Sequence, residues 1–312
     1  MKPLLAWIFP GQGSQAVGMG KAFYDDDVEA RAIFAEAGRL LGYDIAHLCF
    51  QGPSEQLNLT QYTQPALLTV SVTALRMLQR SGLRPVAVAG HSLGEYTALV
   101  AAGGLTFADA LALVRARGRY MQEAVEEGRG LVCALLGLDR QIVAEVCREA
   151  SSLGIVSPAN FNAPGQVVIA GEKAAVEEAV RLAKAKGCRR VIALAVSVPV
   201  HTALMAPAAE RLAGEVMRVP MQDLEIPLIN NADAKPLQKA AEVRESLIRQ
   251  LASAVRWEES IQVLKGMGIQ TLIEIGPGTV LSGLAKRIAP ELQLLNVQDQ
   301  ASLSSTVEAL AA

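Results

Sequence analysis

Apolar positions along the chain follow two alternating rhythms. Short unbroken apolar runs read as buried strands, and longer stretches with apolar residues three and four apart read as helices. The run at 4–9 ends in Pro10-Gly11 and predicts a buried strand. Helical spacing follows over 28–41 and over 66–78, where Pro65 stands near the expected first turn. A second strand is predicted at 86–89, then helices over 93–102 and 107–125, separated by the Gly103-Gly104 break.

The middle of the chain changes rhythm. It predicts a strand at 131–138, a helix at 140–150, a strand at 155–161, the turn cluster Asn162-Ala163-Pro164-Gly165, a strand at 166–170, a helix at 173–186 and a strand at 190–198. That β-α-β-β-α-β order is the order of a ferredoxin-like split module. Its ends lie near Gly128-Arg129-Gly130 and Pro199, as expected for an insertion. The first rhythm then returns with a helix near 204–217, a strand at 227–230, a helix at 241–251 and a strand at 271–275 running into Gly276-Pro277-Gly278. One more helix, a strand at 293–297 and an Ala-rich tail complete the chain, the tail read as a surface helix or a frayed end. Helices alternating with strands from end to end predict an α/β fold.

Composition narrows this picture. Of 312 residues 51% are hydrophobic and 4% aromatic, which excludes a disordered chain, a collagen and a small disulfide-stapled domain. The length allows two domains, or one large domain carrying an insert. Basic and acidic residues number 29 and 31, a formal charge of −2, so no global field draws nucleic acid or an anionic membrane. The first apolar run is too short for a signal-peptide core, and no stretch is long enough to span a bilayer. Cys49, Cys133, Cys147 and Cys188 are widely spaced, form no metal-site pattern, and read as buried thiols of a reducing cytoplasm.

The sharpest chemical signal is Gly90-His91-Ser92-Leu93-Gly94, set between a predicted strand and a predicted helix. That is the context of a nucleophile elbow, in which small flanking residues let the turn lift a serine hydroxyl above the sheet edge. Serine needs a base, and the chain has only three histidines. His91 adjoins the serine and points away from it; His47 sits in an amphipathic stretch and reads as structural or exposed. His201, at the return from the insert, is the best placed. For the group that orients the base, Asp223, Asp233 and Asp299 are available, as are a backbone carbonyl or an amide side chain.

The second signal is the polar loop Phe9-Pro10-Gly11-Gln12-Gly13-Ser14-Gln15. Gly11, Gly13 and Ala16 satisfy a dinucleotide-binding pattern, but Glu36 falls inside a helical pattern where an acidic strand end is required. Such a loop after an early strand commonly supplies an oxyanion-hole donor, so the Gln12 and Leu93 N–H groups read as the pair. In Arg115-Ala116-Arg117-Gly118-Arg119, Arg117 lies on the opposite helix face from its two neighbours. It reads equally as a buried ion-pair partner or as a ligand for a substrate carboxylate.

Taken together, these motifs resemble a known family. The loop at 9–15, Thr63-Gln64-Pro65-Ala66-Leu67, Gly90-His91-Ser92-Leu93-Gly94-Glu95-Tyr96, Arg117-Gly118, Asn160-Phe161-Asn162-Ala163-Pro164-Gly165-Gln166, Val198-Pro199-Val200-His201 and Glu274-Ile275-Gly276-Pro277-Gly278 look like the malonyl-CoA:acyl carrier protein transacylases of bacterial fatty acid synthesis. The resemblance implies an α/β-hydrolase-like large domain, residues 1–127 and 200–312, interrupted by a ferredoxin-like one at 128–199. It implies Ser92 as nucleophile, His201 as base, Gln250 as the residue orienting the base through a carbonyl, Gln12 and Leu93 as the oxyanion hole, and Arg117 as partner of the malonyl carboxylate. Gln64, Met121 and Asn162 match pocket positions, and Val200 departs from the small polar residue common there. A ping-pong cycle follows, in a cytoplasmic monomer without metal or cofactor, using malonyl-CoA and an acyl carrier protein. A polyketide acyltransferase shares every motif. A serine thioesterase and a non-catalytic carrier-binding scaffold are more distant alternatives.

Carrier proteins are acidic, which directs attention to local cations. Arg181, Lys184, Lys186, Arg189 and Arg190 fall within ten residues free of acidic ones, and Lys286-Arg287 follow later. Arg189, Arg190, Lys286 and Arg287 are read as docking residues, against the alternative of a solvated surface.

Overall fold

The computed structural model describes residues 4–126, 128–194 and 198–311. Strands β1 (Leu5–Phe9) and β2 (Ala87–Gly90) come first, then β3 (Gly130–Leu136), β4 (Val156–Ala163), β5 (Gln166–Glu172) and β6 (Arg190–Ala193). The chain ends with β7 (Leu228–Ile229), β8 (Pro236–Leu237), β9 (Thr271–Ile275) and β10 (Gln293–Val297). Among the described residues, ten strands make two sheets of a mixed α/β protein, in the orders β10-β9-β1-β2-β7-β8 and β4-β5-β3-β6.

In the first sheet only β7 and β8 pair antiparallel. β1 is buried at every position because helices cover both faces, which is why it reads as an unbroken apolar run. Alternate residues feed different cores: Leu5, Trp7 and Phe9 join one, Ala6 and Ile8 the other. Each fully buried large side chain contributes about 1.5–3 kcal/mol from burial alone.

The second sheet is antiparallel throughout. Helices Arg140–Ala150 and Lys173–Ala185 pack on one face through Val143, Val146, Val176 and Ala179. Val132, Ala134 and Val168 form the other face and line a cavity shared with the first sheet. Two backbone hydrogen bonds tie β4 to the segment just before helix Trp257–Gly266, from Phe161 N–H to the Val255 carbonyl and from Val255 N–H to the Ala159 carbonyl, both 2.9 Å.

The helices at 28–41 and 140–150 and the strands at 271–275 and 293–297 lie where the pattern places them. The helix expected at 66–78 instead runs Thr60–Gln79, with Pro65 inside it. Proline there forfeits one ladder bond, and tertiary packing offsets the loss. Helix Phe107–Ala124 comes so close that a Cβ on Gly118 would lie 2.9 Å from the Thr60 carbonyl oxygen. The pattern did not reveal helix Trp257–Gly266. The strand expected at 190–198 ends at Ala193, and residues 195–197 lie outside the described ones. The tail is a helix, Gln300–Ala311. Cys49, Cys133 and Cys147 are buried, whereas Cys188 is only half-buried. Among the described residues no helix is long and apolar enough to cross a membrane.

Candidate active site

The site is built at the carboxyl end of β2, where the chain turns into helix Gly94–Ala101. The turn is tight enough that both glycines of the motif are required by space. A Cβ on Gly90 would lie 2.0 Å from the Gly94 carbonyl, and one on Gly94 would lie 2.0 Å from the Phe9 carbonyl oxygen. Between them Ser92 adopts φ +52°, a left-handed conformation that costs a non-glycine residue about 1–3 kcal/mol. Asn231 holds it there. Its Oδ1 accepts from Ser92 N–H at 2.6 Å and its Nδ2 donates to the Gly90 carbonyl at 2.6 Å.

Ser92 Oγ lies 2.8 Å from Nε2 of His201, which is 2% exposed. The imidazole Nδ1 sits 3.0 Å from two carbonyl oxygens, those of Gln250 and Ser253. Carbonyl oxygens only accept, so Nδ1 carries the hydrogen and Nε2 is left to accept the serine proton. Burial, then the nearby Arg117 charge, push the His201 pKa down to about 3, so the ring is neutral at physiological pH and Nε2 keeps its lone pair for the serine proton. Asp223, Asp233 and Asp299 do not orient it: they bind Lys239, Arg249 and Ser302 respectively.

Arg117 is fully buried and aims Nη2 at Ser92 Oγ, 3.0 Å away, and at Gln250 Oε1, 3.1 Å away. Among the described residues its Nε and Nη1 make no hydrogen bond of good geometry, and the Tyr96 side chain is the polar group nearest the rest of the guanidinium. A buried guanidinium without a carboxylate beside it costs stability. Arg117 is not one half of a direct ion pair. The Gln250 amide completes the arrangement by donating from Nε2 to the Ser92 carbonyl at 2.9 Å and to Glu95 Oε2 at 3.1 Å.

The loop after β1 passes directly over the elbow, since a Cβ on Gly11 would meet the His91 carbonyl oxygen at 2.2 Å. Gln12 lines the cavity, and its side chain donates to Thr60 Oγ1 at 3.1 Å. The cavity, of about 230 Å³, is also lined by Ser92, His201, Met121, Asn162 and Val200. Leu93 begins the helix beside it. Gln64 lies behind this wall, its Nε2 donating to Met121 Sδ at 3.2 Å. Asn162 Oδ1 bonds His91 Nε2 at 2.9 Å, so His91 turns away from Ser92; His47 is exposed on helix Ile45–Gln51. Glu36 lies within helix Val28–Leu41, not at a strand end.

A family described as acyl transferase domain matches residues 6–303. The malonyl CoA-acyl carrier protein transacylase of Salmonella typhimurium is 48% identical over 303 residues, 97% of this chain and 98% of that one. The chain belongs to this acyl transferase family. Among solved structures, an acyl carrier protein S-malonyltransferase from Vibrio cholerae superposes with a TM-score of 0.94 at 48% identity, covering 97% of this chain and 99% of that one. A type II PKS acyl-carrier protein in complex with its malonyl-transacylase gives 0.96 at 48% identity, covering 98% and 99%.

In this acyl transferase, three residues of the site, Glu95, Asn231 and Ser253, escape a reading of the sequence, as does the side-chain role of Gln250. Glu95 directly follows the Gly90–Gly94 elbow, and a lone charge in the otherwise uncharged helix Gly94–Ala101 was a usable signal. Ser253 acts through its backbone and leaves none. Arg189, Arg190 and Arg287 do come together, around a groove that also includes Gly137 and Pro164, and Lys286 is exposed next to Arg287. Two cations of the basic run are already neutralised: Arg181 pairs with Glu178, and Lys186 with Glu145 and Glu149 of the neighbouring helix.

Proposed function

We propose that this enzyme transfers a malonyl group from malonyl-CoA to the phosphopantetheine thiol of an acyl carrier protein, through a malonyl ester on Ser92. The observation that carries this is the meeting of His201 Nε2 and Arg117 Nη2 on one serine oxygen. His201 takes the hydroxyl proton as Oγ attacks the thioester carbon. The C–S bond breaks, the proton passes to the CoA sulfur, and the carrier thiol repeats the exchange in reverse. Gln12 and Leu93 N–H groups stabilise the tetrahedral oxyanion, each such donor being worth about 10²–10³ in rate. Arg117, whose Nη2 already reaches Ser92 Oγ, takes the acyl carboxylate on its guanidinium. Every group in the scheme is a side chain or backbone group of one chain, so a monomer suffices and no cofactor is needed.

The same reading divides the chain into an α/β-hydrolase-like domain at 1–127 and 200–312, and a ferredoxin-like one at 128–199. The antiparallel order β4-β5-β3-β6 supports the second. So does the proximity of its two ends, a Cβ on Gly130 lying 2.6 Å from the Pro199 ring. The carrier docks at Arg189, Arg190, Lys286 and Arg287, the last already bound to the Pro164 carbonyl at 2.7 Å. A polyketide carrier is the second reading, favoured by likeness to the PKS complex.

The test is a panel of acyl-CoA donors with holo fatty-acid and polyketide carriers, read by intact mass. A stable malonyl adduct on the wild type, absent from Ser92→Ala, and its discharge by the carrier are expected. Rapid release of free malonate without an adduct would assign a thioesterase.

A further inference from the structure

Glu95 stands in the first turn of helix Gly94–Ala101, is fully buried, and touches neither Ser92 Oγ nor the cavity wall. Its Oε2 accepts from Asn231 N–H at 3.0 Å and from Gln250 Nε2 at 3.1 Å, and its Oε1 has no partner. The Gln250 amide is thus placed between a buried carboxylate and a buried guanidinium, donating to one and accepting from the other. A direct Glu95–Arg117 pair would have filled the Arg117 fork. One intervening amide lets the charges compensate with no carboxylate seated directly on the guanidinium.

We infer that Glu95 is the resident counter-charge of Arg117, competing through Gln250 with an incoming acyl carboxylate, and so sets how strongly the site prefers carboxylated acyl groups. This rests on the reading that Arg117 binds that carboxylate. Glu95 is a positioning residue, acting through Gln250 and Arg117.

The groups that face Glu95 are Arg117 from helix Phe107–Ala124, Tyr96 from its own helix, and Asp233 from the loop after β7. Burial raises Glu95 to about 7 despite its hydrogen bonds and the Arg117 charge. By contrast His201 and His91 are lowered by burial, Asp233 is lowered by Arg249, and Tyr96 is pushed up to about 12. Of the groups around the site, Glu95 is the one that titrates near neutrality. Its ionised form competes for Arg117 and its protonated form does not, so anion affinity must fall as pH rises through about 7.

The probe is sulfoacetate, a small dianion whose two acidic groups stay ionised across the range from about pH 5.5 to about pH 9. Titration calorimetry on the whole enzyme should show binding roughly tenfold weaker at the upper end than at the lower, the effect of one nearby like charge. Glu95→Gln should bind independently of pH, at the wild type's low-pH affinity. Binding that is present but flat with pH in the wild type overturns the role of Glu95 alone. So does a pH dependence that survives in Glu95→Gln. Absence of binding at low pH overturns the Arg117 reading and the inference with it. The wild-type profile decides even if the variant does not fold.

Discussion

Arg117 Nη2 and His201 Nε2 both contact Ser92 Oγ, at 3.0 and 2.8 Å. Since Arg117 can only donate, the hydroxyl hydrogen is directed to His201. Before any substrate arrives, the nucleophile has one proton path. Under the proposed mechanism, the same guanidinium would join acyl choice to the serine that carries the acyl group.

Replacing Arg117 by Ala should therefore change preference more than rate. A charge-assisted hydrogen bond contributes about 1.5–3 kcal/mol. Malonyl loading of Ser92 should fall roughly 10- to 100-fold relative to acetyl loading, measured as the ratio of kcat/KM values for the two CoA esters. An unaltered ratio would make Arg117 purely structural.

Asn231→Ala should behave differently. It removes both hydrogen bonds that hold Ser92 in its left-handed conformation. Loss of about 1–3 kcal/mol of support should slow serine acylation by malonyl-CoA and acetyl-CoA alike, roughly 10- to 100-fold, with the ratio conserved. Rapid-quench measurement of adduct formation distinguishes this from the Arg117 variant.

His201 carries a consequence for acid stability. Its folded pKa, about 3, lies below the ordinary histidine value near 6.5. The unfolded chain binds the proton first, so this contribution is complete above about 6.5 and is lost progressively as pH falls toward 3. His201→Asn should show a shallower decline of Tm between pH 7 and pH 4, followed by scanning calorimetry. An equal slope would mean that other groups dominate acid unfolding.

Charge reversal at Arg189, Arg190 and Lys286 tests the docking face. KM for the carrier should rise roughly tenfold, since each exposed charge contributes at most about 1 kcal/mol, while KM for malonyl-CoA stays constant. Arg287 is best left out, because its guanidinium also ties helix Val280–Ile288 to the β4–β5 turn through the Pro164 carbonyl and Gln166 Oε1. A KM for the carrier that does not move would place docking elsewhere.

Ser92 was legible because an elbow is a local object: its two glycines and its strand-to-helix setting lie within a few residues. His201 was legible by scarcity, as one of three histidines, and by its place at the return from the insert. Asn231 was not, because it meets Gly90 and Ser92 across about 140 residues, and no local pattern marks an asparagine as the support of a distant turn. Gln250 was placed through family likeness as acting through a carbonyl. Its carbonyl does lie against Nδ1 of His201, but its amide reaches Ser92, Arg117 and Glu95, which only the assembled fold reveals. Pro65 misled because a local helix-start signal was overridden by the close approach of Gly118.

The two backbone bonds at Val255 bear on how this enzyme can be re-engineered. They join β4 of the four-stranded sheet to the chain that leads into helix Trp257–Gly266, so the two walls of the cavity share a backbone seam. A bulkier acyl group will gain room by trimming a wall residue such as Met121 or Val200.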